Sequence, residues 1–152
     1  MTTTPTVEIY TDGACRGNPG TGGWGVLLRY QSIEKELKGA ELTTTNNRME
    51  LTAAIEALQA LKTRSRVLLW TDSKYVQQGI TAWLPNWKKR NWRTSANKLV
   101  KNEDLWKLLD THGSRHDIEW RWVKGHSGNP GNEAADRLAN EAIDDYLQTI
   151  NG

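Results

Sequence analysis

Phenylalanine is absent from this chain and cysteine occurs once, whereas tryptophan occurs eight times in 152 residues. The lone Cys15 can form no internal disulfide and no multi-cysteine metal motif, which points to a reducing, cytoplasmic home. No apolar run approaches the length of a membrane span, and the opening MTTTPTVE has neither a basic segment nor the hydrophobic stretch of a signal peptide. Repeats, low-complexity linkers and signs of a second domain are missing too. One monomeric domain over 1–152 is therefore expected, frayed at residues 1–6 and away from membranes. Such a length buries roughly two-thirds of the surface exposed on unfolding, enough for a core without staples. One absence is local: between Ser73 and Asn102 there is no acidic residue, but there are Lys74, Lys88, Lys89, Arg90, Arg93, Lys98 and Lys101. A net charge of +2 conceals this basic block.

What is present reads as a mixed α/β pattern. VEIYTDGA alternates as a first strand, RGNPGTGG reads as a loop, and WGVLLRY and EKELKGAEL follow as strands in an antiparallel meander turning near QSI. NNRMELTAAIEALQALK has apolar residues at helical spacing, RVLLWTDS is a fourth strand, DIEWRWVK a fifth, and NEAADRLANEAIDDYL a closing helix. Between the fourth and fifth strands lie a Trp- and Lys-rich helical region, a looser RTSANKLVKN and a helix EDLWKLLDTH. The order implies a mixed five-stranded sheet with helices on both faces.

Two strands end alike, as IYTDG and LWTDS, and an ionised carboxylate at the end of a buried strand is costly unless something pairs with it. By the period of two, Tyr10 shares a face with Asp12 and Trp70 with Asp72; if these strands are neighbours, the two carboxylates meet. Either Asp alone also suits a turn or a helix cap. Glu50 fits a capping box in NRME, yet at ~100° per residue it falls beside Ala54, Ala57 and Leu61 on the apolar stripe. Asp136 lies on the arc of Ala139, Ile143 and Leu147 in the last helix. Two unit charges about 4 Å apart repel by roughly 4 kcal/mol at an effective dielectric near 20, so gathering such acids requires counter-charge. Hard oxygen donors without sulfur match Mg²⁺ or Mn²⁺ better than Zn²⁺. Paired ions of this kind suit in-line attack on a phosphodiester, and the basic block suits its backbone.

The motifs YTDGACRGNPGTGGWG, TTNNRMEL, TDSKYV, GITAWLPNWKKRNWRT, VKNEDLWKLLD and WVKGHSGNPGNEAADRLA together resemble type 1 ribonuclease H of the bacterial form. That family cuts the RNA strand of RNA/DNA hybrids. The resemblance, running from about Val7 to Ala142, implies that Asp12, Glu50, Asp72 and Asp136 bind two Mg²⁺ ions at the scissile phosphate, leaving 5′-phosphate and 3′-hydroxyl ends. It makes His126, in GHSGNPGN, the loop histidine assisting proton transfer or product release, a task suited to an unperturbed pKa near 6.5. It further implies hybrid contacts by Asn18, Asn46, Asn47 and Gln77 in the minor groove, where the 2′-hydroxyl distinguishes RNA, and a phosphate pocket at Thr45. For these amides, turns and helix caps are the alternative.

Residues 83–101 match the family's basic protrusion, with Lys88, Lys89, Arg90, Lys98 and Lys101 against the backbone and Trp83 and Trp92 packing on nucleic acid. Trp87, Trp24, Trp106, Trp120 and Trp122 are assigned to the core. Two departures from the family pattern stand out: Lys74 where Gln is common, and Gly131 at a loop position beside His126 where an acid is frequent. With no N-terminal hybrid-binding module expected, the protrusion supplies most of the grip. A nuclease or strand transferase of other specificity on the same fold should lack the matched asparagines and basic handle. A non-catalytic hybrid-binding module would have no need of four carboxylates.

Overall fold

Alternation along the first strand sets the two faces of the sheet in the computed structural model, which describes residues 6–125 and 127–151. In β1 (Thr6–Gly17) Val7, Ile9 and Thr11 turn to one face and are buried, while Tyr10 and Asp12 turn to the other. β1 pairs antiparallel with β2 (Gly20–Tyr30), and β2 with β3 (Ile33–Thr44), as the meander requires. β4 (Arg66–Thr71) runs parallel to β1, and β5 (Asp117–Trp122) parallel to β4, giving the order β3-β2-β1-β4-β5. Thr6 already belongs to β1, although it was expected to fray. Residues 1–5 lie outside the described residues.

The glycine-rich stretch that reads as a loop is mostly strand: pairing continues to Gly17 and resumes at Gly20, leaving Asn18 and Pro19 at the tip. Gly23 in this stretch, and Gly25 just beyond it, serve helix packing. A Cβ on Gly23 or Gly25 would strike the backbone of α5 (Pro130–Asn151) at Ala139 or Ala135. α5 thus lies directly on β1, β2 and β3. On the opposite face α1 (Asn46–Gln59) buries Met49, Leu51, Ala54 and Leu58 against β1 and β2, with α4 (Glu103–Gly113) packed behind it. The sheet is mixed and has helices on both faces, as expected.

Between β4 and α4 run α2 (Lys74–Gln78), a π-helical turn (Gly79–Trp83) and α3 (Leu84–Lys89). Here the tryptophans replace the missing phenylalanines. Tyr75, Trp83, Trp87 and Trp106 form a closed ring of four, with neighbouring centroids 5.7, 5.7, 5.4 and 5.5 Å apart. Such pairs contribute about 0.5–1.5 kcal/mol each beyond area burial. Trp106 is wholly buried, which it tolerates because its Nε1 donates to the Tyr75 hydroxyl at 3.0 Å. Trp24, Trp87 and Trp120 pack against the main core as expected. Trp122 does not: it stands on the edge strand, 42% exposed, with its Nε1 donating to the Asp72 carbonyl at 3.3 Å.

Candidate active site

Parallel pairing of β1 with β4 ends at Thr11 and Thr71, and the next residue on each chain is an aspartate. Asp12 and Asp72 therefore stand together at the carboxyl edge of adjacent parallel strands, where open α/β sheets place their ligands. Beneath them Tyr10 and Trp70 stack, with centroids 5.9 Å apart and planes 9° from parallel.

Glu50 arrives from the other side of the sheet. The capping-box reading fails: Thr45, not Asn47, is the N-cap of α1, and its hydroxyl accepts from Arg48 N at 3.2 Å. The Glu50 carboxylate is directed away from its own helix end, and its Oε1 accepts from Gly13 N at 2.7 Å. The same N–H reaches Asp12 Oδ1 at 3.0 Å, so one backbone donor serves two carboxylates. A Cβ at Gly13 would collide with the backbone of Met49 and Glu50, so only glycine lets α1 come so close.

Carboxylate oxygens of Asp12, Glu50 and Asp72 lie within 4.8 Å of one another, a set able to hold a metal ion. Burial, reinforced by the facing Glu50 carboxylate, pushes the Asp12 carboxyl far above the usual range. Burial raises Glu50 as well. Glu50 Oε2 is buried with no hydrogen-bond partner among the described residues. A buried orphan acceptor among acids that resist ionisation matches a hard divalent cation, which would supply both the missing partner and the counter-charge.

Asp136, in α5, faces the same cleft of about 350 Å³, together with Asn46, Asn47, Ser73, Lys74 and Tyr75. Asn140, one turn further on, donates to the Asp136 carbonyl at 3.0 Å and to its Oδ1 at 3.4 Å. Gly125 closes over Asp72: a Cβ there would lie 2.8 Å from Oδ2. The four predicted acids are thus brought to one place from four elements. His126 lies outside the described residues. Gly131 is not a loop residue as expected; it is buried in the first turn of α5 against the Tyr10 ring.

The remaining predicted residues spread outward. Asn18, at the hairpin tip, accepts from Asn46 N at 3.4 Å and ties β1–β2 to the start of α1. Gln77 sits in α2, beyond the residues lining the acidic cleft. Lys89, Arg90, Lys98 and Lys101 are exposed, but Lys88 is engaged by Asp110 at 3.3 Å. Trp83 and Trp87 line a second cleft with Arg90 and Arg93. Trp92 is half-buried on the core with Lys107 Nζ 5.4 Å above its ring, so one face is already taken. Sequence reasoning passed over Gly13 and Asn140. The i, i+4 spacing of Asp136 and Asn140 on a helix was the available signal for the second.

A carboxylate cluster at the carboxyl edge of a mixed sheet, flanked by a basic helical arm, defines a metal-dependent nuclease. A family model described as RNase H matches residues 4–144. Ribonuclease H of Hydrogenovibrio crunogenus is 65% identical over 139 residues, 91% of this chain and 96% of that one. Ribonuclease H of Dichelobacter nodosus is 62% identical over 144 residues, 95% of this chain and 96% of its own. Among solved structures, LC9-RNase H1, described as a type 1 RNase H with the type 2 active-site motif, superposes with a TM-score of 0.86. It is 36% identical and covers 95% of this chain and 75% of its own. The chain belongs to the RNase H family. It is accordingly a metal-dependent endoribonuclease.

Proposed function

We propose that this enzyme hydrolyses the RNA strand of RNA/DNA hybrids at the cleft between Asp12, Glu50, Asp72 and Asp136, with two Mg²⁺ ions, leaving 5′-phosphate and 3′-hydroxyl ends. The observation that carries the reading is the convergence of three carboxylates within 4.8 Å around an orphan Glu50 oxygen, with Asp136 lining the same cleft. Bound there, the ions, for which Mn²⁺ can substitute, would supply water activation and stabilisation of the leaving oxygen. The four acids hold them; Gly13 N–H fixes the Glu50 and Asp12 oxygens for that task.

Asn18, Asn46 and Asn47 lie around the N-terminus of α1, a short reach from the acids, and suit contacts across the minor groove of the hybrid. Gln77 and Thr45 add to these contacts, Thr45 to a phosphate of the DNA strand. The arm at 83–101 grips the backbone through Lys88, Lys89, Arg90, Lys98 and Lys101, with Trp83 and Trp92 as flat contacts. Lys74, exposed at the rim, adds a cation where the phosphate enters. His126 assists proton transfer or product release. The enzyme works as a one-domain cytoplasmic monomer; among the described residues no helix is long and apolar enough to cross a membrane.

The test is cleavage of an end-labelled RNA strand paired with DNA, paired with RNA, or alone, in Mg²⁺ or EDTA. Cutting of the hybrid only, and only with metal, is the expected result. Binding of the hybrid without cutting under any metal would leave a recognition module in its place.

A further inference from the structure

The acids come from separate chain segments, and something must set the distances between those segments. Hydrogen bonds at the cleft tie Glu50 and Asp12 to Gly13, and Asp136 to Asn140. The β1–β4 ladder fixes Asp12 against Asp72, but the height of α5, and so of Asp136, over the sheet is left to packing. A small cluster apart from the main core occupies that position: Tyr10, Leu27 and Ala135, with Trp70 and Ala134 packed against it.

Four of its five members lie within two residues of an acid. Tyr10 and Trp70 are register partners two residues before Asp12 and Asp72 on the same sheet face. Ala134 and Ala135 immediately precede Asp136 in α5. Gly131, one turn earlier, sits so close to Tyr10 that an added Cβ would meet ring atoms Cδ1, Cε1 and Cζ. The Tyr10 ring therefore sets how closely the start of α5 approaches the sheet, and Trp70, stacked on it from the neighbouring strand, holds that ring in place. Trp70 is also held from its far side: the Arg121 guanidinium of β5 lies 5.2 Å from its centroid, while Arg29 of β2 lies 6.0 Å from that of Tyr10. The indole Nε1 is buried without a partner among the described residues, an arrangement poorly suited to stability alone.

We propose that Tyr10 and Trp70 are positioning residues, whose stack under the first turn of α5 sets the placement of Asp136 over Asp12 and Asp72 for divalent-cation binding. This rests on the metal reading of those acids. The test is calorimetric titration of Mn²⁺ into the full chain without nucleic acid, with thermal unfolding and hybrid cleavage measured alongside. Trp70→Leu should weaken Mn²⁺ binding about tenfold, as lost supports of metal ligands typically do, and raise the metal concentration for half-maximal cleavage in parallel, leaving KM for hybrid unchanged. Trp70→Tyr, which restores a flat ring, should recover affinity to within about twofold of the parent, well inside the loss such supports cause. Gly131→Ala approaches from the other element and should weaken Mn²⁺ binding while α5 still forms. Unchanged affinity in either Trp70→Leu or Gly131→Ala, once folded, overturns the inference even where the thermal midpoint falls. If the unsubstituted chain binds no Mn²⁺ and cuts no hybrid, the metal reading itself fails and this inference falls with it.

Discussion

Gly13 shows how much can depend on one residue without a side chain. Its N–H lies between two carboxylates, and its missing Cβ admits the helix that carries one of them. Asp12 gains its chemistry from that neighbourhood and contributes little to the fold. Replacing it with Asn should lower hybrid cleavage by at least about a thousandfold, the scale of losing several kcal/mol of charge stabilisation. The thermal midpoint in metal-free buffer should not fall, because an amide tolerates burial where a carboxylate does not. Retained cleavage would remove Asp12 from the metal site. Thr45 makes the opposite case. As N-cap of α1 it should cost about 1 kcal/mol in urea unfolding when replaced by Ala. At this scale the acids were legible as residue types, but Glu50 read equally well as a cap. Its true direction depended on Gly13, which is 37 positions away.

Elements differ in what they hold and what they leave free. The basic arm was visible as a block without acids, yet Asp110 of α4 reaches back to Lys88. Lys89 and Arg90 stay exposed. Binding to an uncleaved hybrid in EDTA should therefore lose about 0.9 from the slope of log affinity against log salt for Lys89→Ala and for Arg90→Ala, one phosphate contact each. Lys88→Ala should change the slope less. Equal slopes for all three variants would show that Asp110 releases Lys88 on binding. The strands and helices themselves followed from periodicity, while the Gly-rich hairpin did not. Its glycines mimic a loop because loops and close helix contacts both favour a missing Cβ. Trp122 misled for a related reason: alternation does not tell an edge strand from a central one.

For the whole molecule, one buried histidine ties stability to pH. His116 is 6% exposed, between α4 and β5, and its Nδ1 accepts from Ser65 N at 3.1 Å, pinning the approach to β4. Burial and the nearby Arg115 lower its pKa in the fold. An unfolded chain thus takes up a proton near pH 6.5 that the native state refuses until lower pH. Stability from this group is complete above that range and is lost as pH falls through it. Urea unfolding from pH 7.5 to 5 should show the decline, and His116→Asn should flatten it. A slope untouched by that substitution would assign the decline to other groups.

The sequence by itself determined the strand and helix order, the two aspartate-ended strands, the basic arm and the list of acids, because periodicity and composition are local properties of the chain. Only the tertiary structure decided that Thr45 caps α1 while Glu50 turns to Gly13, that Gly131 lies in the first turn of α5 against Tyr10, and that Tyr10 and Trp70 stack beneath the aspartates. These are distances between residues remote in sequence. They arise from how closely helices can approach the sheet, and a linear pattern does not carry that information.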